Sequence, residues 1–115
     1  MLTPRFFFGI GTNGLDAIYI FGGVWAGHED FIDKYDTTLD TWTNLTAKLP
    51  QPGVTEAEDG KDGIIWVFVL SGRTLHTFDT DTETLTQVNI PGIPSCKLIG
   101  AIFCETIIIL FLNGV

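Results

Sequence analysis

The chain has 115 residues, of which 13 are glycine and 5 proline, with 45% apolar residues and six basic against fourteen acidic side chains, a net charge of −8. That balance argues against nucleic acid or an anionic membrane as the main partner, since both would repel the chain. Short apolar stretches rich in Thr, Ile and Phe, separated by turn residues, predict an all-β protein.

The first apolar stretch, residues 6–10, follows Pro4-Arg5 and is expected to form a first strand, with a turn at residues 11–14. Residues 17–21 (Ala-Ile-Tyr-Ile-Phe) form a second predicted strand, ended by Gly22-Gly23. A glycine pair lets a chain take positive φ and leave a strand sharply where another backbone passes close. Residues 31–36 read as a third strand ending in Tyr35-Asp36, and residues 40–45 as a fourth carrying Trp42, after which Leu49-Pro50 closes the unit. Asp36 is followed by threonine, as is Asp79 later, and both aspartates are expected to hold turns by accepting bonds from nearby backbone N–H groups. Tyr35, Trp42 and Phe78 are the aromatics expected to fill the wedge between twisted sheets, each burying on the order of 150–250 Å².

The same order then repeats at a shift of roughly 43 to 47 residues, a spacing typical of repeat architectures. Pro52-Gly53 restarts it, residues 60–63 form a turn like residues 13–16, and residues 64–69 give the second strand. Phe78-Asp79 stands where Tyr35-Asp36 stood, Leu85 where Trp42 stood, and Ile90-Pro91 where Leu49-Pro50 stood. This copy has lost the glycine pair and the outer tryptophan. A third copy opens at Pro94 and runs to Asn113-Gly114-Val115, where the next glycine pair belongs. The apolar run 98–112 reads as two strands broken at Glu105-Thr106, with a helix as the alternative, and it is too short to span a membrane.

The Gly22-Gly23, Tyr35-Asp36, Trp42 and Leu49-Pro50 series resembles the kelch repeat, one blade of a β-propeller. The resemblance covers the whole chain. It implies antiparallel four-stranded kelch-type blades forming a partial β-propeller, an incomplete ring: blade one at 4–51, blade two at 52–93 and a half blade at 94–115. It also implies a fragment of a larger propeller, because about four blades are needed to close a ring. Kelch domains commonly bind proteins, so the expected function is a noncatalytic protein–protein interaction module. The alternative is part of a kelch-like propeller enzyme acting on a sugar or other small molecule. Exposed blade edges add possible self-association.

Catalytic signatures are thin. The chain has no Gly-x-Ser-x-Gly elbow, no Walker loop and no Cys or His set at zinc spacing, so no enzyme activity, cofactor or metal is expected. Asp79, Asp81 and Glu83 alternate as in a calcium loop but lack its glycine and length. Cys96 and Cys104 read as small buried residues of a reducing compartment, and with no signal peptide evident the expected location is cytoplasmic. The binding candidates lie on the connections that the kelch resemblance places at the recognition face. They are Trp25, His28, Glu29 and Asp30 between the second and third strands, and Arg73 in the shorter equivalent.

Overall fold

The structure is a computed structural model and describes residues 6–24, 30–70 and 73–88. These residues are all-β, in eight strands: β1 (Gly9–Thr12), β2 (Ala17–Phe21), β3 (Phe31–Asp36), β4 (Thr41–Lys48), β5 (Thr55–Asp59), β6 (Ile64–Val69), β7 (Thr74–Asp79) and β8 (Thr84–Val88). They form two four-stranded antiparallel sheets in simple meander order, β1-β2-β3-β4 and β5-β6-β7-β8. The two sheets do not close into a ring. The third copy expected at 94–115, the strand-or-helix choice at 98–112 and both cysteines lie outside the described residues.

Three strand boundaries differ from the sequence reading. The first strand begins at Gly9 rather than residue 6, because Phe7 takes a positive φ of 54° and Phe6 instead forms an isolated bridge with Val24. The first turn falls at residues 13–16, because the Asn13 side chain caps it: its Oδ1 accepts from the backbone N–H groups of Leu15, Asp16 and Ala17 at 2.9 to 3.1 Å. The fourth strand runs on to Lys48, across a register irregularity between Phe31 and Asp33.

Away from that irregularity the repeat keeps its register. Tyr35 pairs with Ile18 and Trp42, and Phe78 pairs with Ile65 and Leu85. The turns repeat as well. Asp36 Oδ1 accepts from the N–H groups of Thr38 and Leu39, and Asp79 Oδ1 from those of Asp81 and Thr82. The threonine after each aspartate clasps the neighbouring turn: Thr37 donates through N–H and hydroxyl to the Asp16 carbonyl, and Thr80 does the same to the Gly63 carbonyl. Each Asp-Thr pair therefore ties its own turn to the adjacent hairpin.

One face of each sheet builds a common core. Ala17, Tyr19, Phe21, Ile32 and Leu45 of the first sheet meet Ile65, Val67, Val69 and Phe78 of the second. Phe78 is fully buried, its ring 5.0 Å from Tyr19 and 5.2 Å from Phe21, edge-on to the latter. The sheets come closest at β1 and β5, where glycine makes the approach possible. A Cβ on Gly9 would lie 3.0 Å from that of Ala57, and one on Gly11 would lie 2.8 Å from the Ile65 methyl groups. Backbone stitches secure the seam: Gly23 N–H donates to the Gly53 carbonyl at 3.0 Å, Thr55 N–H to that of Phe7 at 3.1 Å, and Thr12 N–H to Asp59 Oδ1 at 2.9 Å. Gly22 and Gly23 both have positive φ, 59° and 103°, so the pair turns the chain out of β2 directly beside Gly53.

Candidate functional site

Meander topology gives the two sheets polar ends. The hairpin turns at 13–16, 37–40, 60–63 and 80–83 share one end, and the connections 22–30, 49–54 and 70–73 share the other. The hairpin end is acidic. Asp16, Asp36, Asp40, Asp62, Asp79, Asp81 and Glu83 all flank it.

Two of the binding candidates are described, and both lie at the connection end. Asp30 is half-buried and its carbonyl accepts from Leu49 N–H at 2.9 Å, fastening the end of the 22–30 connection to the exit of β4. Arg73 is exposed, has a φ of 49° and donates its N–H to the Leu70 carbonyl at 3.1 Å, closing the β6–β7 turn. Its backbone is therefore committed to the turn while its side chain faces solvent. Trp25, His28 and Glu29 lie outside the described residues.

The histidine of the second copy, His76, is buried within β7 and its Nε2 lies 2.8 Å from Thr74 Oγ1. Burial lowers its pKa, favouring the neutral ring. Two of the alternating acids of the β7–β8 turn are engaged. Asp79 caps the turn, and Glu83 Oε2 accepts from the Tyr19 hydroxyl at 3.0 Å and pairs with Lys34 Nζ at 2.9 Å. Among the described residues no group of three or more His, Cys, Asp or Glu side chains is gathered as a metal site would require.

The Tyr19–Glu83–Lys34 junction is absent from the sequence reading. Glu83 takes a positive φ of 56° at the end of its turn and reaches across to the first sheet. Burial first, and then the bond to Glu83, hold the Tyr19 hydroxyl far above the usual phenol range. The bond to Glu83 is also the main cause of a raised pKa at Lys34. Asp40 stands at the equivalent turn position with a φ of 54°, and it accepts from Tyr35 of its own sheet instead. Beside Glu83 the sheets part into an open cleft of about 280 Å³, lined by Thr43, Asn44, Leu45, Thr46 and Ala47 of β4 and by Thr82. No sequence signal could have found this junction, because the partners come from different copies of the repeat. The alternating Gly9 and Gly11 were a readable sign of close sheet contact.

No protein-family model matches the chain, nor does any curated protein. Among the described residues no helix is long and apolar enough to cross a membrane.

Proposed function

We propose that the chain is a kelch-type partial propeller that serves as a noncatalytic protein-binding module, using the end that carries the 22–30 and 70–73 connections. The observation that carries this reading is the tandem register. Two sheets with matching strand pairing stack with their first strands closest, and they bring Asp30 and Arg73 to one common end. Rigid sheets presenting longer connections at one end are a usual platform for recognition. Trp25, as an aromatic on the longest of these connections, is the natural anchor, with His28, Glu29, Asp30 and Arg73 as the polar candidates on the same set of connections.

The partner is a protein, and the acidic surface favours a basic one. The outermost strand β4 offers a second mode, edge-to-edge association between copies. The test is affinity capture on the full chain beside a variant carrying Trp25→Ala, His28→Ala and Arg73→Ala. Capture of the partner is expected to fall roughly tenfold or more, as loss of an anchor residue usually demands, with circular dichroism and the thermal midpoint unchanged. Undiminished capture by the folded variant refutes this face as the binding surface.

A further inference from the structure

Two leucines stand in water at the hairpin end of the first sheet. Leu15, in the turn between β1 and β2, is 88% exposed, and Leu39, in the turn between β3 and β4, is 68% exposed. Neither turn uses the leucine side chain. The backbone N–H of Leu15 donates to Asn13 Oδ1 and that of Leu39 to Asp36 Oδ1, each at 2.9 Å, and the matching positions of the second sheet hold Asp62 and Thr82. A single exposed leucine is ordinary, but two on adjoining turns begin an apolar patch.

Each leucine precedes an aspartate. Leu15-Asp16 and Leu39-Asp40 present the same apolar and acidic pair twice. The two turns are fastened together by Thr37, which donates its N–H and its hydroxyl to the Asp16 carbonyl at 2.8 and 3.1 Å. The carboxylates are positioned as well: Asp16 accepts from Asn13 Nδ2 at 3.0 Å, and Asp40 accepts from the Tyr35 hydroxyl. A carboxylate has room for about four hydrogen bonds, so both keep capacity for a cation. Asp36 adds a third acid to this end, and Lys34, the base in the adjoining strand β3, is already paired with Glu83 at 2.9 Å.

The spacing of the turns selects the partner. The β1–β2 and β3–β4 turns are separated by two strand spacings, about 10 Å. Residues on one face of an extended peptide lie about 7 or 13 Å apart, whereas residues seven apart in a helix share a face at about 10.5 Å. We propose that the hairpin end of the first sheet docks a basic amphipathic helix of a partner protein. Two apolar side chains seven residues apart seat on Leu15 and Leu39, and a lysine or arginine beside each meets Asp16 and Asp40. This end is opposite the one carrying the 22–30 and 70–73 connections, so the surface is additional to the binding face proposed above and does not depend on it.

The test is a fluorescence-anisotropy titration of the full chain against a labelled synthetic helical peptide with leucine at two positions seven apart and a lysine one turn from each on the same face. Saturable binding is expected. A variant with Leu15→Asp and Leu39→Thr takes the residues of the second sheet and gains a carboxylate, so charge alone would strengthen its binding. It is expected to bind roughly tenfold or more weakly, as the loss of buried leucine contacts demands, with circular dichroism unchanged. Either change alone should have an intermediate effect, which keeps the result readable if the pair unfolds. Exchanging the peptide lysines for glutamate should abolish saturable binding. Absence of binding by the parent chain, undiminished binding by the folded leucine variants, or undiminished binding of the glutamate peptide overturns the proposal. Self-association of the chain that the leucine changes abolish makes a second copy the occupant and overturns it too. The variant carrying Trp25→Ala, His28→Ala and Arg73→Ala should bind the peptide as the parent does, so the two surfaces fail separately.

Discussion

At one register of the repeat, Phe78 of the second sheet is fully buried against Tyr19 and Phe21, whereas Tyr35 of the first sheet stands half-buried beside Trp42 on an outward face. Both residues close the third strand, precede an Asp-Thr turn and pair with a second-strand isoleucine. The strand context is the same and the burial is not. A repeat motif therefore determines where a side chain points, while the neighbouring sheet determines how much energy that direction yields. The same contrast separates Gly9 and Gly11, pressed against Ala57 and Ile65, from Glu56 and Glu58 at the matching registers.

The largest effect should come from emptying the shared core. Phe78→Ala is expected to cost about 3–5 kcal/mol in urea unfolding, while Tyr35→Ala costs about 1 kcal/mol, the scale of one aromatic pair at a partly wet site. Equal costs would show that the two faces are packed alike.

Next in size is the seam between the first strands. Gly11→Val drives two methyl groups into Ile65 and should cost about 1–3 kcal/mol, whereas Glu58→Val at the matching, exposed register should stay within about 0.5 kcal/mol. A Gly11→Val chain of undiminished stability would refute the close approach of β1 to β5.

The turns should behave alike, and so sharpen the comparison from the other side. Asp36→Ala and Asp79→Ala each remove an acceptor for two backbone N–H groups, and each should cost about 1 kcal/mol. A difference of several-fold in that cost would mean that the sheets do not share one turn design.

The smallest effects concern pH. The Tyr19 hydroxyl and the Lys34 ammonium both hold their protons more tightly in the folded chain than in the unfolded one. Their stabilisation is complete below the ordinary phenol and lysine range and is lost as pH rises through and beyond about 10. Thermal midpoints should fall in that window, less steeply in Tyr19→Phe. His76 works in the opposite sense: its folded pKa is lowered, so stability is complete above the ordinary histidine range and falls as pH drops below about 6.5. His76→Gln should flatten the acid side of the profile, and a profile identical to that of the parent chain would count against the buried neutral ring.

Much of the fold was legible in the residues. The strands Phe31–Asp36 and Ile64–Val69 lie where the apolar runs and turn signals placed them, and Asp36 and Asp79 cap their turns as their Asp-Thr context implied. Gly22-Gly23 leaves β2 with positive φ beside a passing backbone, as a glycine pair there predicts. The start of β1 was misplaced because an apolar run alone does not reveal that Phe7 breaks it with a positive φ. The candidate site was less legible. Asp30 and Arg73 reach one end through topology, which strand order alone allowed, but the occupation of Glu83 by Tyr19 and Lys34 could not be read.

The sequence by itself determined the two four-stranded meanders, their shared register and the polarity of their ends, because alternation, turn chemistry and repeat spacing act over a few residues at a time. Only the tertiary structure decided which face of each sheet is buried between the two. The same β-strand pattern is compatible with either face inward, and the choice falls to the pair of glycines that lets one backbone come within reach of the other.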